Sequence, residues 1–325
     1  GHGKAPHSEG LFVYAKRMNY SYLADLVFSI GHNVFINSGF YSKQPFFNAV
    51  YPNNQSIVNE NLVNEKILGL EAGYGFRSAK FNAKVNLYYT SWKDRYQRSN
   101  DSDPLNIGGY YDFQGITQIH SGLEVEMNAK LLDKLRLNGM VSIGNWEYKG
   151  DITGKRYDID NNEISGGTVT TYYVDGTKVG DAAQFTASVG ASYDIFKTFS
   201  IDANYRFVDK LYASLDPSKQ TSEDNKGTLE LPSYGLMDAG ISYKMLVGKE
   251  KDKSVDFRFN MNNVLDEIYI AESRTNIFAD DNVNNSNPAL GTYASNNRLY
   301  KGVADANQVF FGFGRTWNFT IRYNF

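Results

Sequence analysis

The last residues of the chain alternate strictly between apolar and polar side chains. Trp317, Phe319, Ile321, Tyr323 and Phe325 share one parity, and Asn318, Thr320, Arg322 and Asn324 share the other. Successive side chains of a strand point to opposite faces, so this segment predicts a strand with one wholly apolar face. A soluble β-sandwich produces the same pattern, but a soluble domain rarely ends on an aromatic residue, because termini fray into water. A strand in lipid is paired along its length, since hydrocarbon offers the backbone no hydrogen-bond partner.

The same alternation recurs along the chain. Apolar residues occupy every second position at 81–89, 123–129, 185–193, 201–207 and 255–261, with polar residues between them. Tyr88 is the one aromatic residue on the polar parity of its segment. Helical spacing explains none of these segments, so the sequence predicts an all-β, antiparallel fold.

Short and long connections alternate between these segments. The short ones lie at 77–80, 131–134, 195–198 and 248–253; the long ones, rich in Asn, Asp and Gly, lie at roughly 44–63, 94–115, 149–181, 210–231 and 271–307. Short periplasmic turns and long extracellular loops are typical of outer-membrane barrels. The sequence therefore predicts a transmembrane β-barrel in a bacterial outer membrane, with extracellular long loops and a periplasmic C-terminus.

The strand count follows from the same pattern. Ten strands are predicted near 33–43, 64–78, 80–93, 116–131, 134–148, 182–195, 198–209, 232–246, 254–270 and 308–325, and the stretch 11–30 offers one more. Several exceed the 9–11 residues needed to cross a bilayer, so we expect them to project beyond it and carry the long loops. Residues 1–10 contain neither an initiator Met nor a signal-peptide pattern, and we interpret them as a tag remnant or disordered start. Residues 11–325 form the predicted barrel portion.

Composition excludes several classes of protein. The net charge is −3 without a basic stripe, which argues against a nucleic-acid partner. No stretch approaches the roughly 18–20 apolar residues of a membrane helix. The chain has no cysteine, hence no disulfide framework and no thiol metal site. Its 24 tyrosines fit the aromatic girdles of a barrel, although a large soluble β protein can also be Tyr-rich.

Catalytic and metal sites find little support in the sequence. The histidines are His2, His7, His32 and His120, and no nucleophile elbow, zinc helix or phosphate-binding loop is present. The stretch 158–162 is similar to a calcium loop, but Gly is missing at the sixth position and Val169 stands where a bidentate Glu is needed. We therefore predict no enzyme, no cofactor and no catalytic or metal residue, with loop-bound calcium, for example at 280–285, left open.

Two sets of side chains are candidates for ligand contact. The charged residues of polar parity are Glu124, Glu126, Arg206, Asp256, Arg258 and Arg322; they either line a substrate path or form a hydrated, mixed-charge wall. The loop aromatics are Tyr110, Tyr111, Tyr172, Tyr173, Tyr293 and Tyr300; they either stack on a sugar or catecholate or belong to loops that are simply rich in tyrosine.

Five segments carry a resemblance to a known family. They are Asn33–Phe47, Asn64–Phe76, Val85–Asp94, the NMNNVLD stretch at Asn260–Asp266, and Thr316–Phe325. In order and spacing they resemble the barrel of TonB-dependent outer-membrane receptors of the Bacteroidetes type, from about residue 33 onward. The resemblance implies a 22-stranded barrel, closed by an N-terminal plug, that imports scarce nutrients with energy from TonB.

Compared with that pattern, the chain lacks a plug, a TonB-contacting segment and about half of the strands. We expect the C-terminal half of a receptor barrel; the alternatives are a smaller closed barrel that acts as a passive porin-like channel, and a soluble β-rich binding protein. The expected partners are outer-membrane lipid, the TonB complex through the missing plug, and a small-molecule or oligomeric nutrient such as an iron complex, glycan or cofactor. The resemblance also implies that the barrel-assembly machinery reads Trp317, Phe319, Ile321, Tyr323 and Phe325.

Overall fold

The computed structural model describes residues 20–29, 31–59, 62–164 and 170–325. Its strands are, in chain order, β1 (Tyr20–Ser29), β2 (His32–Lys43), β3 (Glu65–Arg77), β4 (Phe81–Asn100), β5 (Tyr110–Leu132), β6 (Leu135–Tyr148), β7 (Ile152–Tyr157), β8 (Thr170–Tyr172), β9 (Ala183–Phe196), β10 (Phe199–Tyr212), β11 (Glu230–Leu231), β12 (Tyr234–Val247), β13 (Lys253–Asn262), β14 (Ile270–Ser273), β15 (Leu299–Tyr300), β16 (Val303–Ala304), β17 (Val309–Phe311) and β18 (Thr316–Asn324). The helical elements of this part are α1 (Phe47–Val50) and the 3₁₀ turns Pro52–Asn54, Pro217–Lys219 and Pro288–Leu290. None of the described helices is long and apolar enough to cross a membrane. The predicted tag or disordered start at residues 1–10 lies outside the described residues.

Eleven strands form the main path of a fourteen-stranded antiparallel sheet, and we call these eleven strands the wall. Their order is β1, β2, β3, β4, β5, β6, β9, β10, β12, β13 and β18. Off this path, β7 pairs with β5, β8 pairs with β7, and β11 pairs with β10. The strands of the wall follow one another in chain order, so the wall is a meander with no crossover. Strands β1 and β18 form its two edges, and they do not pair with each other in the described part of the chain. The predicted all-β antiparallel fold is confirmed, with β1 as the strand offered by 11–30.

One predicted loop is wrong because the strands continue through it. The segment 94–115 was expected to be irregular, but β4 runs to Asn100 and β5 begins at Tyr110. Register shifts follow Trp92 and Arg95, and Asp94 has a φ of 59°. A bulge re-aims a strand without ending it. The resulting hairpin extends well past the 9–11 residues that cross a bilayer.

Two predicted strands near the C-terminal end of the chain are longer than the observed strands. Strand β13 ends at Asn262 instead of reaching residue 270, because the Asn263 side chain accepts from the Glu267 N–H (2.9 Å) and donates to its carbonyl (2.9 Å). The segment 308–325 is not one strand either. Its first part, β17, pairs with β14, and the sheet strand β18 begins only at Thr316.

The sheet has one apolar face and one polar face. In the pairing of β13 with β18, Phe257 lies opposite Ile321 and Phe259 opposite Phe319, while Arg258 between them lies opposite Thr320. The apolar side chains of β18 are exposed, and none of the described segments packs over them. The wall therefore has the two-faced arrangement of a barrel whose apolar side contacts lipid.

The buried apolar clusters lie among the long connections. Those connections span 44–64, 101–109, 149–182, 213–233 and 263–315, while short turns occupy 78–80, 133–134, 197–198 and 248–252 at the other end. We call the long connections, together with the β4–β5 extension, the loop crown. One cluster contains Phe113, Ile116, Tyr148, Ile152, Tyr172, Val174 and Leu215; the other contains Leu211, Ala213, Leu229, Leu231, Ile270 and Val303. The predicted alternation of short and long connections is confirmed.

Candidate functional site

The polar face of the wall is held together by ion pairs and amide hydrogen bonds. Arg258 binds Asp202 through both terminal nitrogens, one at 2.8 Å, and its Nε donates to Asn260 at 2.6 Å. Arg136 forms a two-bonded pair with Asp194, both contacts at 2.8 Å. Bidentate pairs of this kind fix the guanidinium plane. These side chains therefore stabilise a hydrated wall across several strands.

The remaining predicted charges of the wall lie on the same face. Glu124 accepts from Asn86 (3.3 Å) and Asp256 accepts from Asn324 (2.7 Å). In the register, Glu126 is opposite Lys84, Arg322 opposite Asp256, and Arg206 opposite Ser188. Most of these partners are amides or opposite charges on neighbouring strands. The structure thus places all six predicted charges on one face; whether any of them contacts a substrate stays a prediction.

A group of aromatic side chains lies on this polar face, next to the loop crown. Three successive cross-strand rows run over β4, β5 and β6: Tyr88–Gly122–Gly144, Thr90–His120–Trp146 and Trp92–Gln118–Tyr148. The indole N–H of Trp146 donates to the Tyr88 hydroxyl at 2.9 Å. The His120 ring is nearly parallel to that of Trp146, with centroids 5.2 Å apart, and lies 6.5 Å from that of Trp92. We call Tyr88, Trp92, His120 and Trp146 the aromatic shelf.

Two glycines let two shelf side chains approach the sheet closely. A Cβ atom at Gly122 would collide with the Tyr88 hydroxyl, and one at Gly144 would stand 2.8 Å from the indole nitrogen of Trp146. The Tyr88 hydroxyl and the Trp146 indole nitrogen therefore lie against glycine backbone, where the absence of a side chain permits close approach. All four shelf side chains are only partly buried.

The buried Gln184 side chain fixes Trp146 where the sheet begins to open. The register of β6 with β9 ends at Ile143 and Phe185. Beyond it, Gln184 accepts from the Trp146 N–H and donates to its carbonyl, both at 2.9 Å. One amide side chain thus replaces a backbone ladder pair. This contact positions the indole at the boundary between wall and crown.

A cavity of about 420 Å³ adjoins the shelf below the crown. Its polar lining includes Arg95, Gln97, Gln118, Asp181 and Ser214. The Arg95 guanidinium lies 5.3 Å from the Trp92 ring centroid and donates to the buried Gln118. Asp181 accepts from the Ser214 hydroxyl at 3.0 Å. A cavity with an aromatic border and a few convergent polar groups is the usual form of a ligand site.

The predicted loop aromatics are divided between packing and exposure. Tyr110 is buried, donates its hydroxyl proton to Asn161 (3.0 Å), and lies 3.7 Å below the Arg98 guanidinium. Tyr172 is buried edge-on against Phe113, with centroids 5.0 Å apart. These two tyrosines therefore hold the crown together.

Of the other four loop tyrosines, Tyr293 is buried, Tyr111 and Tyr173 are partly buried, and Tyr300 is exposed. Tyr111 packs against the Phe113 cluster, and the Tyr173 N–H donates to the Gln220 carbonyl at 2.8 Å. Tyr293 is buried, 5.1 Å from the Arg298 guanidinium. Tyr300 is exposed and meets Phe311 edge-on at 5.6 Å. Ligand contact by any of the six tyrosines stays a prediction, and Tyr300 is the most accessible of them.

An arginine with two carboxylates closes the tip of the β4–β5 extension. Arg156 contacts Asp101 at 2.5 Å and Asp103 at 2.7 Å. For Asp101, burial opposes ionisation, but hydrogen bonds from Asn106, the Asp103 N–H and Arg156 lower the carboxyl pKa below its usual value. For Asp103, the Leu105 N–H and then Arg156 lower the pKa. Both carboxylates therefore stay ionised at neutral pH and bind the tip to strand β7.

The acidic loops considered for calcium have other partners. Asp158 accepts from the backbone N–H groups of Asp160 (3.0 Å) and Asn162 (2.8 Å). Asp280 and Asp281 both accept from Lys226 at 2.7 Å. Within the described ranges, no group of three or more His, Asp and Glu side chains converges in the manner of a metal site.

The aromatic shelf was not among the sequence predictions. Tyr88 stood out as the one aromatic residue on the polar parity of the segment 81–89, and His120 was named only as one of the four histidines. The missing signal is the register, because Gly122 and Gly144 become neighbours of Tyr88 only once three strands are paired. A search for glycines of polar parity in consecutive strands, flanked by aromatic residues, would have found this group.

The final strand places its predicted stripe on the apolar face. Trp317, Phe319, Ile321, Tyr323 and Phe325 are all exposed, and β18 is an edge of the sheet. An exposed strand edge offers unpaired backbone groups to another strand. The geometry is compatible with recognition by an assembly factor, and that role stays a prediction.

Comparison with solved structures identifies the same fold in membrane receptors. The chain is similar to the ferric-catecholate import receptor Fiu from K12 E. coli (14% identity, TM-score 0.55), covering 94% of this chain and 34% of that one. It is similar to the copper transporter OprC (15%, 0.59; 94% and 39%) and to the ferric citrate transporter FecA (15%, 0.56; 94% and 37%). The chain thus spans a little over a third of the length of these proteins.

The family model described as "TonB dependent receptor-like, beta-barrel" matches residues 19–264, which include most of the wall. That family consists of outer-membrane receptors, and its members are known for transport. The chain belongs to the TonB-dependent receptor family, and its described residues form barrel strands and the loops that connect them.

Proposed function

We propose that the chain forms part of the wall and the ligand-capturing loops of a receptor that imports a nutrient across the outer membrane by TonB-dependent transport. The observation that supports this most directly is the wall itself, apolar on one face and polar on the other, with all long connections packed at one end. We attribute the plug and the contact with TonB to the whole protein, because this chain corresponds to about a third of the length of related structures.

The nutrient class is suggested by the related proteins and the sequence motifs. The similar proteins include a ferric-catecholate import receptor, a ferric citrate transporter and a copper transporter. We propose an iron complex, a glycan or a cofactor for this chain. The Bacteroidetes-type assignment rests on the order and spacing of the five segments between Asn33 and Phe325 and is part of the proposal.

Uptake by cells tests this function. The gene is deleted in its source bacterium, and growth and accumulation are compared on limiting ferric chelates, oligosaccharides and corrinoids. We expect one nutrient class to be lost, and lost equally when TonB is deleted or a protonophore is added. Uptake that persists at the same rate without TonB would instead support the passive channel.

The orientation of the wall has a separate test, which uses the absence of native cysteine. We propose that the long loops face the exterior and that the short turns and the C-terminus face the periplasm, as in other outer-membrane barrels. Leu105 in a long connection is 95% exposed, and the Asp133 side chain in a short turn is also 95% exposed. In intact cells, a membrane-impermeant maleimide is expected to label Leu105→Cys and not Asp133→Cys. Labelling of Asp133→Cys alone would reverse the orientation.

Recognition of the last strand by the assembly machinery is the remaining part of the proposal. It is supported by the exposed apolar stripe on an edge strand, which can be recognised by β-augmentation. Removal of Phe325 is expected to lower the amount of folded protein in the outer membrane. Removal of the Phe313 side chain (Phe313→Ala), which is also exposed but lies before β18, is the control. Equal losses in both variants would contradict a specific signal.

A further inference from the structure

We infer that the aromatic shelf and its adjoining cavity form a subsite for a carbohydrate ring on the polar face of the wall. This inference rests on the proposed function, since it names the nutrient class that would pass this face. The shelf consists of Tyr88, Trp92, His120 and Trp146, as defined above. Three properties of the site favour a sugar: the shape of the surface, the hydrogen-bonding groups beside it and the charge around it.

The shelf presents partly exposed aromatic rings beside open backbone. Tyr88 and Trp146 approach the backbone at Gly122 and Gly144, and all four shelf side chains are only partly buried. The row that contains His120 continues through Thr90 to Gly69, where an added Cβ would meet nothing within 4 Å. An exposed aromatic surface beside open backbone can accept a sugar ring. The C–H groups of a pyranose carry partial positive charge and pack against the negative π face.

Several hydrogen-bonding groups lie beside the shelf. Gln97, Gln118 and Ser214 supply amide and hydroxyl groups, while Arg95 and Asp181 supply a donor fork and an acceptor. Such groups both donate and accept, as a ring with several hydroxyls requires. They line a cavity of about 420 Å³ together with Trp146 and His120. The arrangement thus provides a stacking surface and hydroxyl partners within one cavity.

The charge around the shelf favours a neutral sugar over an anionic iron complex. Glu71 lies opposite Tyr88 in the register, and Glu124 follows Gly122 on the same face. Asn37 and Asn86 donate to these carboxylates, each at 3.3 Å, and these neutral amides leave both negative charges in place. The single guanidinium, Arg95, has a carboxylate of its own, Glu65, at 4.0 Å. A polyanion would be repelled by this surface, whereas a neutral polyol would not.

Equilibrium binding by the purified, natural-length protein tests the subsite without any transport step. The detergent is lauryldimethylamine oxide, because a maltoside headgroup would itself be a ligand of the proposed class. A printed array of neutral oligosaccharides selects the probe, and its Kd is then measured by titration calorimetry. We expect Trp146→Leu to weaken binding about tenfold or more, and Trp146→Phe to weaken it less, because a smaller ring still stacks. The control is Tyr243→Leu, an aromatic residue exposed on the apolar face, which is expected to leave the Kd unchanged.

Heat-modifiable migration in gels confirms that each variant is folded. A second variant, Gln118→Leu, changes the cavity and spares the stacking surface. We expect Gln118→Leu to lose affinity for the saccharide as well. The inference is overturned if no saccharide on the array binds, if the three shelf and cavity variants bind as tightly as wild type, or if choline or ferric 2,3-dihydroxybenzoate replaces saccharide as the Trp146-dependent ligand. Saccharide binding that depends on Trp146, in a protein whose uptake is independent of TonB, would keep this inference and refute the proposed function.

Discussion

The wall and the loop crown differ in the exposure of their large apolar side chains. In the wall, regular strands leave large apolar residues exposed, and Trp317 on β18 is 68% exposed. In the crown, irregular connections enclose theirs, and Phe113 and Val174 are fully buried. A water-soluble β protein has the reverse distribution, with its core between sheets. The difference shows that the two regions are adapted to different solvents.

The reason is that hydrocarbon completes the packing of the wall. An apolar side chain that faces lipid needs no second protein layer, because the lipid chains remove it from water. The crown lies beyond the apolar band and must exclude water with its own residues. Its two clusters are therefore small cores built from connections that are distant in the sequence. Stability of the wall depends on its surroundings, whereas stability of the crown depends on packing.

The largest expected difference between the two regions comes from removing a leucine side chain in each. Leu215→Ala leaves a cavity in the cluster around Phe113, and such a change costs about 2–5 kcal/mol in a protein core. Leu87→Ala in the wall is expected to cost much less, because lipid chains fill the space. Hydrogen exchange of the amides at 172–179, measured in lipid vesicles, reports the opening free energy of the crown. Equal losses of protection in the two variants would remove the distinction between wall and crown.

A charge placed on either face of the wall tests the lipid contact directly. Val189 lies on the apolar face of β9 and Ser188 on the polar face, where it is opposite Arg206. Val189→Lys is expected to destabilise by about 2–4 kcal/mol if it lies near the bilayer midplane. Ser188→Lys adds the same charge one residue away and is expected to change stability by no more than about 0.5 kcal/mol. Urea unfolding in vesicles gives both values, and a harmless Val189→Lys would mean that this face contacts water.

The sequence predicted the wall well because its pattern is local. Residues 81–89 and 185–193 alternate with period two, and no later contact overrides that signal. The crown offers no such pattern. Val174, Leu215 and Leu229 lie in segments rich in turn residues, and their burial results from loops that meet only in the folded chain. The 94–115 segment was misread for the same reason, since its polar residues are satisfied by neighbouring loops.

The candidate site was only partly visible in the sequence. The polar parity of Glu124 and Arg258 followed from alternation, whereas their partners Asn86 and Asp202 depend on register. The loop tyrosines were recognised as a group, but burial separates Tyr110 from Tyr300, and composition carries no information on burial. A single strand contains its own face pattern and nothing of its neighbour's alignment.

The smallest expected effect concerns acid at the tip of the β4–β5 extension. The pKa values of Asp101 and Asp103 are lowered in the folded crown, so their contribution to stability is complete above the ordinary carboxyl pKa of about 3.9 and is lost as the pH falls through the folded values. The amides of Asp103 and Leu105, which donate to these carboxylates at 3.0 and 2.9 Å, should then lose protection from exchange. Protection is compared between pH 3 and pH 7, corrected for the intrinsic exchange rate.

Arg156→Gln sharpens this prediction, because it removes the cation that both carboxylates contact. We expect the tip to be less protected at neutral pH and to open at a higher pH than in wild type, with a smaller total change on acidification. Lys155→Gln is the matched control, since Lys155 contacts Glu163 at 2.9 Å and not the tip. If Lys155→Gln shifted the opening as much as Arg156→Gln, the effect would reflect net charge in the crown. A shift confined to Arg156→Gln would show that a specific ion pair fastens the β4–β5 extension to β7.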